Sequence, residues 1–464
     1  MTWQSGPFRS QHTDRRLRLL VVLHNLGIGG SQRNSVDLAA GARDLGHEVT
    51  LAGPPGVLQD VIAEKGLPFE VIEELSPDNI APTARSAYRR MRELVRRVQP
   101  DLVHTYELTP SILMFLGPHR SDDIPMTMTI NSMSVPDFMP GTVPLQVCGP
   151  LIAMETRERS GSIGILEIPT DVVGQYPGYP GGQDFRAEMG VKPDEVMVVA
   201  VSRFARALKQ EGLETAIRAT GRIAHQYPIR LVLVGDGPAM PELQALAAAT
   251  NASAGREIVT LPGLRVDPRP AYESADIALG MGGSVLRAMA FGKPCIVQGE
   301  HGYFKTLDRH SAREFRWHGF YGIGDGGTGE DVLVRELRTL MADPVRRKTN
   351  AEFALELVRR HYSLQHALDV QLAWYHKAIA EHVKPSRGEV ARTIAGVGTY
   401  FAGRAAGRIR PDTFNSSERI GPGIAAPVPA WFDPDLDTDT GSIDIATART
   451  LKLPAARRPA FGTD

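Results

Sequence analysis

Two compact apolar runs, residues 18–23 and 196–201, constrain this chain more than any other feature. Each is too short for a buried helix and shows no polar alternation, the pattern of a strand covered on both faces. Such a sheet needs helices between its strands, which makes the strands parallel. After each run the cycle repeats. The first series predicts strands at 18–23, 48–52, 69–72, 101–104 and 126–130, with helices at 34–45, 57–65 and 84–98. Gly46 and Gly66 stand at helix ends, where a left-handed residue stops a helix. The second series predicts strands at 196–201, 230–234, 258–261, 275–279 and 295–297, with helices at 214–225, 241–249 and 285–291. The fold class is therefore α/β, with two Rossmann-like, doubly wound domains.

This periodicity divides the 464 residues. Residues 1–16 read as a disordered leader, 17–165 as the first domain, 166–190 as a linker, 191–362 as the second domain and 363–383 as a closing helix. The linker is dense in Gly and Pro between Tyr176 and Gly182, as a hinge is. Residues 384–464 read as an extension, largely disordered because Pro, Asp, Thr and Ala dominate without periodicity. Its first part, residues 388–410, sets Arg392, Arg404 and Arg408 beside Ile394, Val397, Tyr400 and Phe401, compatible with a helix on a membrane surface, though four glycines weaken it.

A net charge of −1 argues against a nucleic-acid-binding surface. The two cysteines, Cys148 and Cys295, read as buried thiols rather than a disulfide or metal framework. The apolar part of the N-terminus, residues 19–23, is too short for a signal peptide, and no run of about 18 apolar residues exists. The expected location is cytoplasmic.

Four motifs recur in a fixed order. They are Gly27-Ile28-Gly29-Gly30-Ser31-Gln32-Arg33, Ser202-Arg203-Phe204 with Lys209 soon after, Leu233-Val234-Gly235-Asp236-Gly237-Pro238, and Arg287-Ala288-Met289-Ala290-Phe291-Gly292-Lys293-Pro294. Together, across roughly residues 17–382, they resemble the family 4 glycosyltransferases of the GT-B architecture. That resemblance implies two Rossmann-like domains facing across a cleft and sugar transfer from an activated, nucleotide-linked donor. It also implies retention of anomeric configuration, no metal and no cofactor.

The resemblance also implies site roles. Arg203 and Lys209, with the backbone of Gly29 and Gly30, would hold the donor diphosphate; a forked guanidinium and a point ammonium both suit phosphate oxygens. His104, at the end of a strand, would lie near the reacting sugar as the catalytic candidate. Gln32, Arg33 and Asn131 would face the acceptor, whose identity the sequence does not give. Gly282, Gly283, Ser284, Arg287 and Glu300 would surround the donor sugar and nucleotide.

One departure is specific. Family members carry two glutamates in the central segment, one at the donor sugar and one at the ribose. Here Leu279 or Gly280 and Arg287 occupy those places. A guanidinium has no acceptor lone pairs, so it cannot take two ribose hydroxyls as a carboxylate does. Arg287 would bind an extra anionic group, or Glu300 would hold the ribose instead, or catalysis has been lost and the shape kept. A buried arginine without a partner is costly, so Arg287 should have an anion nearby, either a ligand or a side chain such as Asp276 or Glu300. The alternatives to a transferase are a catalytically inactive pseudo-glycosyltransferase serving as a binding or regulatory subunit and, less favoured, an isomerase of the same architecture. The sequence leaves the oligomeric state open.

Overall fold

The computed structural model describes residues 15–27, 30–73, 80–409, 428–430 and 432. It forms two compact units. The first holds the chain through Pro169 plus the segment from Leu364, and the second holds Thr170–Ser363 together with the described residues 428–432.

The first unit is built on β1 (Arg18–Val22), β2 (Glu48–Gly53), β3 (Phe69–Val71), β4 (Leu102–Tyr106), β5 (Met126–Ile130), β6 (Leu145–Val147) and β7 (Ile163–Ile165). The order is β3-β2-β1-β4-β5-β6-β7, with every pairing parallel. β4, β5, β6 and β7 are buried along their whole length, and the polar side chains they carry, such as His104, Thr105, Thr127, Thr129 and Gln146, are buried with them. The last two are three residues each, too short to show a period in the sequence.

On one face lie the helix Gly30–Asp44 and the helix Leu364–Ala380, packing Val36, Ala39, Leu368, Leu372 and Tyr375 over Leu19 and Val21. The two helices meet at Gly41, where a Cβ would sit 2.4 Å from Leu368 Cδ1. The expected closing helix is thus an integral layer of the first unit. Each buried leucine there contributes about 2 kcal/mol.

The second unit carries β8 (Val196–Val201), β9 (Ile229–Val234), β10 (Val259–Gly263), β11 (Ile277–Gly280), β12 (Cys295–Gln298) and β13 (Phe304–Thr306). The order is β10-β9-β8-β11-β12-β13, and only β13 is antiparallel. Ile217, Leu231, Leu233 and Leu337 are among its core residues. Both cysteines are free thiols.

Two expectations are corrected here. The Gly/Pro stretch is not a loose linker, because it is tied to the second unit. The Gly178 N–H donates to Glu273 Oε1 at 3.1 Å, Tyr179 meets the Phe291 ring edge-on at 6.0 Å, and the Arg269 guanidinium lies 4.7 Å over the Tyr179 ring. Nor is the extension unstructured throughout, since Arg387–Ala405 is a helix docked on the first unit. The Glu389 carboxylate accepts from Thr142 N and Oγ1, both at 2.8 Å, and Tyr400 packs on Phe138. The glycines that weaken this helix in sequence terms are contact points: a Cβ on Gly396 would fall 2.2 Å from Phe138 Cβ. Farther on, Phe432 packs edge-on against Trp317, 4.9 Å between ring centroids, in the second unit. The remaining extension and the leader through residue 14 lie outside the described residues. Among the described residues no helix is long and apolar enough to cross a membrane.

Candidate functional site

Strand order reverses between β1 and β4 in the first unit and between β8 and β11 in the second. At such a point the loops leave in opposite directions and open a crevice at the carboxyl ends of the strands, where ligands of open α/β sheets bind.

In the second unit, the loop after β8 is held by its neighbour. Ser202 N donates to Val234 O at 3.0 Å, Phe204 N to Asp236 O at 2.8 Å and Ala239 N to Phe204 O at 2.9 Å. This close approach needs glycine, since a Cβ on Gly235 (φ +150°) would fall 1.8 Å from Ser202 O. Phe204 is fully buried as the anchor, which leaves the Arg203 side chain exposed at the sheet edge. Leu208, at φ 66°, then turns the chain so that Lys209 caps the helix Gln210–Ile223.

Lys209 is half-buried, and burial pushes its ammonium down to about 7; the Arg203 charge adds to the shift and Glu300 opposes it. The Glu300 loop is fixed from the same helix, whose Glu211 carboxylate accepts from His301 N at 3.1 Å and Gly302 N at 2.7 Å. Glu300 also accepts from the Tyr321 hydroxyl. One residue back, Phe320 O accepts from Gly282 N at 2.9 Å, tying in the loop before the helix Gly283–Ala290. Arg203, Lys209, Glu300 and Gly282 thus belong to one connected edge. The second unit's described non-glycine residues at positive φ, namely Leu208, His301 and Phe320, all lie on that edge. Such strain costs about 1–3 kcal/mol each and concentrates at functional sites.

No side chain among the described residues makes a hydrogen bond or ion pair with Arg203 or Lys209, whereas nearby Arg206 is spent on Glu242 at 2.7 Å and Pro238 O at 3.0 Å. Arg287 is also unpaired, against expectation. Asp276 is taken by Arg186 at 2.9 Å and by Met197 N at 2.7 Å, and Glu300 by Tyr321. Gly283, Ser284 and Arg287 form the partly exposed strip of their helix, and Ser284 Oγ closes the first turn onto Met281 N and O.

The first unit's edge is arranged differently. His104 is a correction: it is fully buried within β4, with Nδ1 2.9 Å from the Tyr375 hydroxyl and Nε2 2.7 Å from Thr129 Oγ1. Burial pushes its imidazole down to about 3, as befits a neutral side chain sealed in the core. Side chains alternate along a strand, and position 104 faces the helix Leu364–Ala380 rather than the rim.

The residue that the sequence reading missed is Glu107, which follows β4 at φ 67°. Its carboxylate accepts from Asn131 N at 3.0 Å and Ser132 Oγ at 3.1 Å, and burial pushes it up to about 7. A carboxyl directly after a buried strand was the available signal. Asn131 therefore does lie on this rim. Gln32 Nε2 donates to Asn25 Oδ1 at 2.8 Å and lies 3.2 Å from His24 Nε2. Arg33 is paired along its helix with Asp37 at 3.4 Å. Gly30 opens that helix with free space around it, and Gly29 lies outside the described residues.

Several solved structures share this architecture. A glycosyltransferase from Rickettsia africae is 14% identical, with a TM-score of 0.63 over 78% of this chain and 99% of that one. Anabaena HepE, solved in complex with UDP-glucose, is 15% identical, with a TM-score of 0.60 over 78% and 99%. WaaG, a glycosyltransferase involved in lipopolysaccharide biosynthesis, is 15% identical, with a TM-score of 0.53 over 77% and 99%. At these identities the likeness defines the fold, which is GT-B with two Rossmann-like domains.

The sequence families narrow this further. Residues 28–144 match Glycosyltransferase Family 4, and residues 195–313 match Glycosyl transferases group 1. The chain belongs to the family 4 glycosyltransferases. An uncharacterized glycosyltransferase of Methanocaldococcus jannaschii is 29% identical over 131 residues, 27% of this chain. The match spans about a third of that relative's length, 32%.

Proposed function

We propose that the protein transfers a sugar from a nucleotide-linked donor to an acceptor, with the donor diphosphate held on the second unit by Arg203 and Lys209. The observation that carries this reading is the pair of unpartnered cations on a strained loop at the β8/β11 switch point. When the bond between the sugar's anomeric carbon and the diphosphate breaks, its electron pair stays on the phosphate oxygen. Fixed cations there stabilise that charge more in the transition state than in the bound donor. The Lys209 ammonium, depressed by burial, regains its proton's stability beside a phosphate. These groups supply the stabilisation from side chains alone, so the reaction needs no metal in this reading.

Acceptor recognition falls to the first unit's rim, where Glu107, Asn131, Ser132 and the His24–Gln32 pair present polar groups. Retention of configuration is the outcome that the family resemblance favours.

The test is a thermal-shift screen of the full chain against UDP, GDP, ADP and dTDP and their glucose or mannose conjugates. At a hundredfold excess over Kd a ligand stabilises the native state by about 2.7 kcal/mol. One nucleotide should raise Tm by several degrees, and Arg203→Ala should abolish the rise. A flat response to every nucleotide contradicts the reading and favours a catalytically inactive chain.

A further inference from the structure

We infer that Arg287 forms an anion subsite beyond the diphosphate, so that the donor of this protein carries an additional anionic group. The inference rests on the nucleotide-donor reading above and names its substrate class. Arg287 is half-buried on the helix Gly283–Ala290, one turn past Gly283 and on the same partly exposed strip as Gly283 and Ser284.

The carboxylates around this helix are committed elsewhere. Asp276 binds Arg186, Glu273 lies 3.6 Å from Lys293, and Glu300 accepts from Tyr321. The electrostatic neighbour that Arg287 does have is the phenol of Tyr272, which burial pushes up to about 12 and so keeps neutral. A partly desolvated guanidinium without an anion is unfavourable, and its rigid fork matches a carboxylate or phosphate in two hydrogen bonds. Through the Gly282–Phe320 hydrogen bond and the Tyr321–Glu300 contact, the start of this helix is joined to the edge that carries Lys209. Arg203 and Lys209 already provide two cations for a diphosphate, and Arg287 is a third with no side-chain partner among the described residues.

Two sources of the anion share this chemistry. One is a carboxylate on the donor sugar, and the other is a phosphate on the donor ribose. Kd values are measured by titration calorimetry for wild type, Arg287→Ala and Arg287→Lys, each checked for an unchanged circular dichroism spectrum. The probes are UDP, UDP-glucose, UDP-glucuronate and uridine 3′-phosphate 5′-diphosphate, or the same series on whichever base binds.

Wild type should prefer the glucuronate over the glucose conjugate, or the 3′-phosphorylated over the plain diphosphate, by at least tenfold. Which pair shows the preference identifies the source. Arg287→Ala should erase that preference while changing UDP affinity less than about threefold, and Arg287→Lys should keep part of it. Equal affinity for charged and neutral partners in wild type overturns the inference while leaving the diphosphate site standing. Absence of binding to any nucleoside diphosphate overturns both.

Discussion

The carboxyl edges of the two sheets arise from the same topology but are satisfied in opposite ways. In the first unit the polar groups answer one another: Glu107 takes Asn131 and Ser132, Gln32 takes Asn25 and His24, and His104 is sealed between Tyr375 and Thr129. In the second unit no side chain among the described residues pairs with Arg203, Lys209 or Arg287, while Arg206, Glu211 and Asp276 around them are engaged. The first edge is built to be stable in the absence of ligand. The second keeps charge in reserve, which a bound donor would use under the proposed function. Substitutions of the engaged polar groups on the first edge should therefore alter stability without altering nucleotide affinity, and replacing the diphosphate cation Arg203 on the second should do the reverse.

The largest effect should come from the scaffold of the second edge. Gly235→Ala places a Cβ 1.8 Å from Ser202 O on a left-handed backbone. It should cost about 3 kcal/mol or more in a denaturant melt, as strain and steric overlap together do. Nucleotide binding should fall with it, and an unchanged melt would show that the loop is not clamped as described.

Next, His104→Leu should destabilise the fold by about 2 kcal/mol, because two buried hydroxyls lose their partner, and should leave nucleotide affinity untouched. It should also change the pH profile. The folded imidazole titrates near 3, whereas the unfolded one titrates near 6.5. Between those values the unfolded chain binds a proton that the native state does not, so wild-type stability falls as pH drops from about 6.5 toward 3. Melts at pH 7 and pH 4.5 should show a smaller acid loss for the variant than for wild type.

Glu107→Gln sharpens the comparison with the opposite sign. The native carboxyl holds its proton up to about 7, above the unfolded value near 4.3. This part of the stability is present at acid pH and declines as pH rises through that window. The variant should lack the decline.

Lys209→Met should raise Tm at neutral pH, since a depressed ammonium is more favourable in the unfolded chain. The same variant should weaken nucleotide binding. In wild type that binding should weaken as pH rises through about 7, where Lys209 loses its charge.

Much of this was legible in the sequence. The apolar runs that became β1, β8 and β9, set in a repeating strand–helix series, pointed to a parallel, doubly wound arrangement, because strands buried on both faces carry such runs. β6, β7 and β13, three residues each, were not read from the sequence, whereas the equally short β3 was, because it follows the helix stop at Gly66. The helix Arg387–Ala405 was undervalued because its glycines count against a helix by propensity, while Gly396 serves packing on Phe138. In the second unit, Arg203 and Lys209 were singled out through the family resemblance, and they follow β8 on its loop. In the first, His104 and Glu107 differ by three positions on one strand end. Only the pleat and the turn at Glu107 decide which of them reaches the rim, and periodicity of so short a run cannot assign that. The unpaired state of Arg287 was equally hidden, since Asp276 and Glu300 are near in sequence but committed in space.

The most direct test of the account is calorimetric titration of the nucleoside diphosphate that gives the largest thermal shift, on wild type, Arg203→Ala and Glu107→Gln. The account predicts that Arg203→Ala weakens binding by roughly tenfold to a hundredfold, the worth of one charge-assisted contact, with Tm unchanged, and that Glu107→Gln binds as wild type does. Equal affinity for all three proteins, or a loss confined to Glu107→Gln, would contradict the placement of the donor on the second unit's edge.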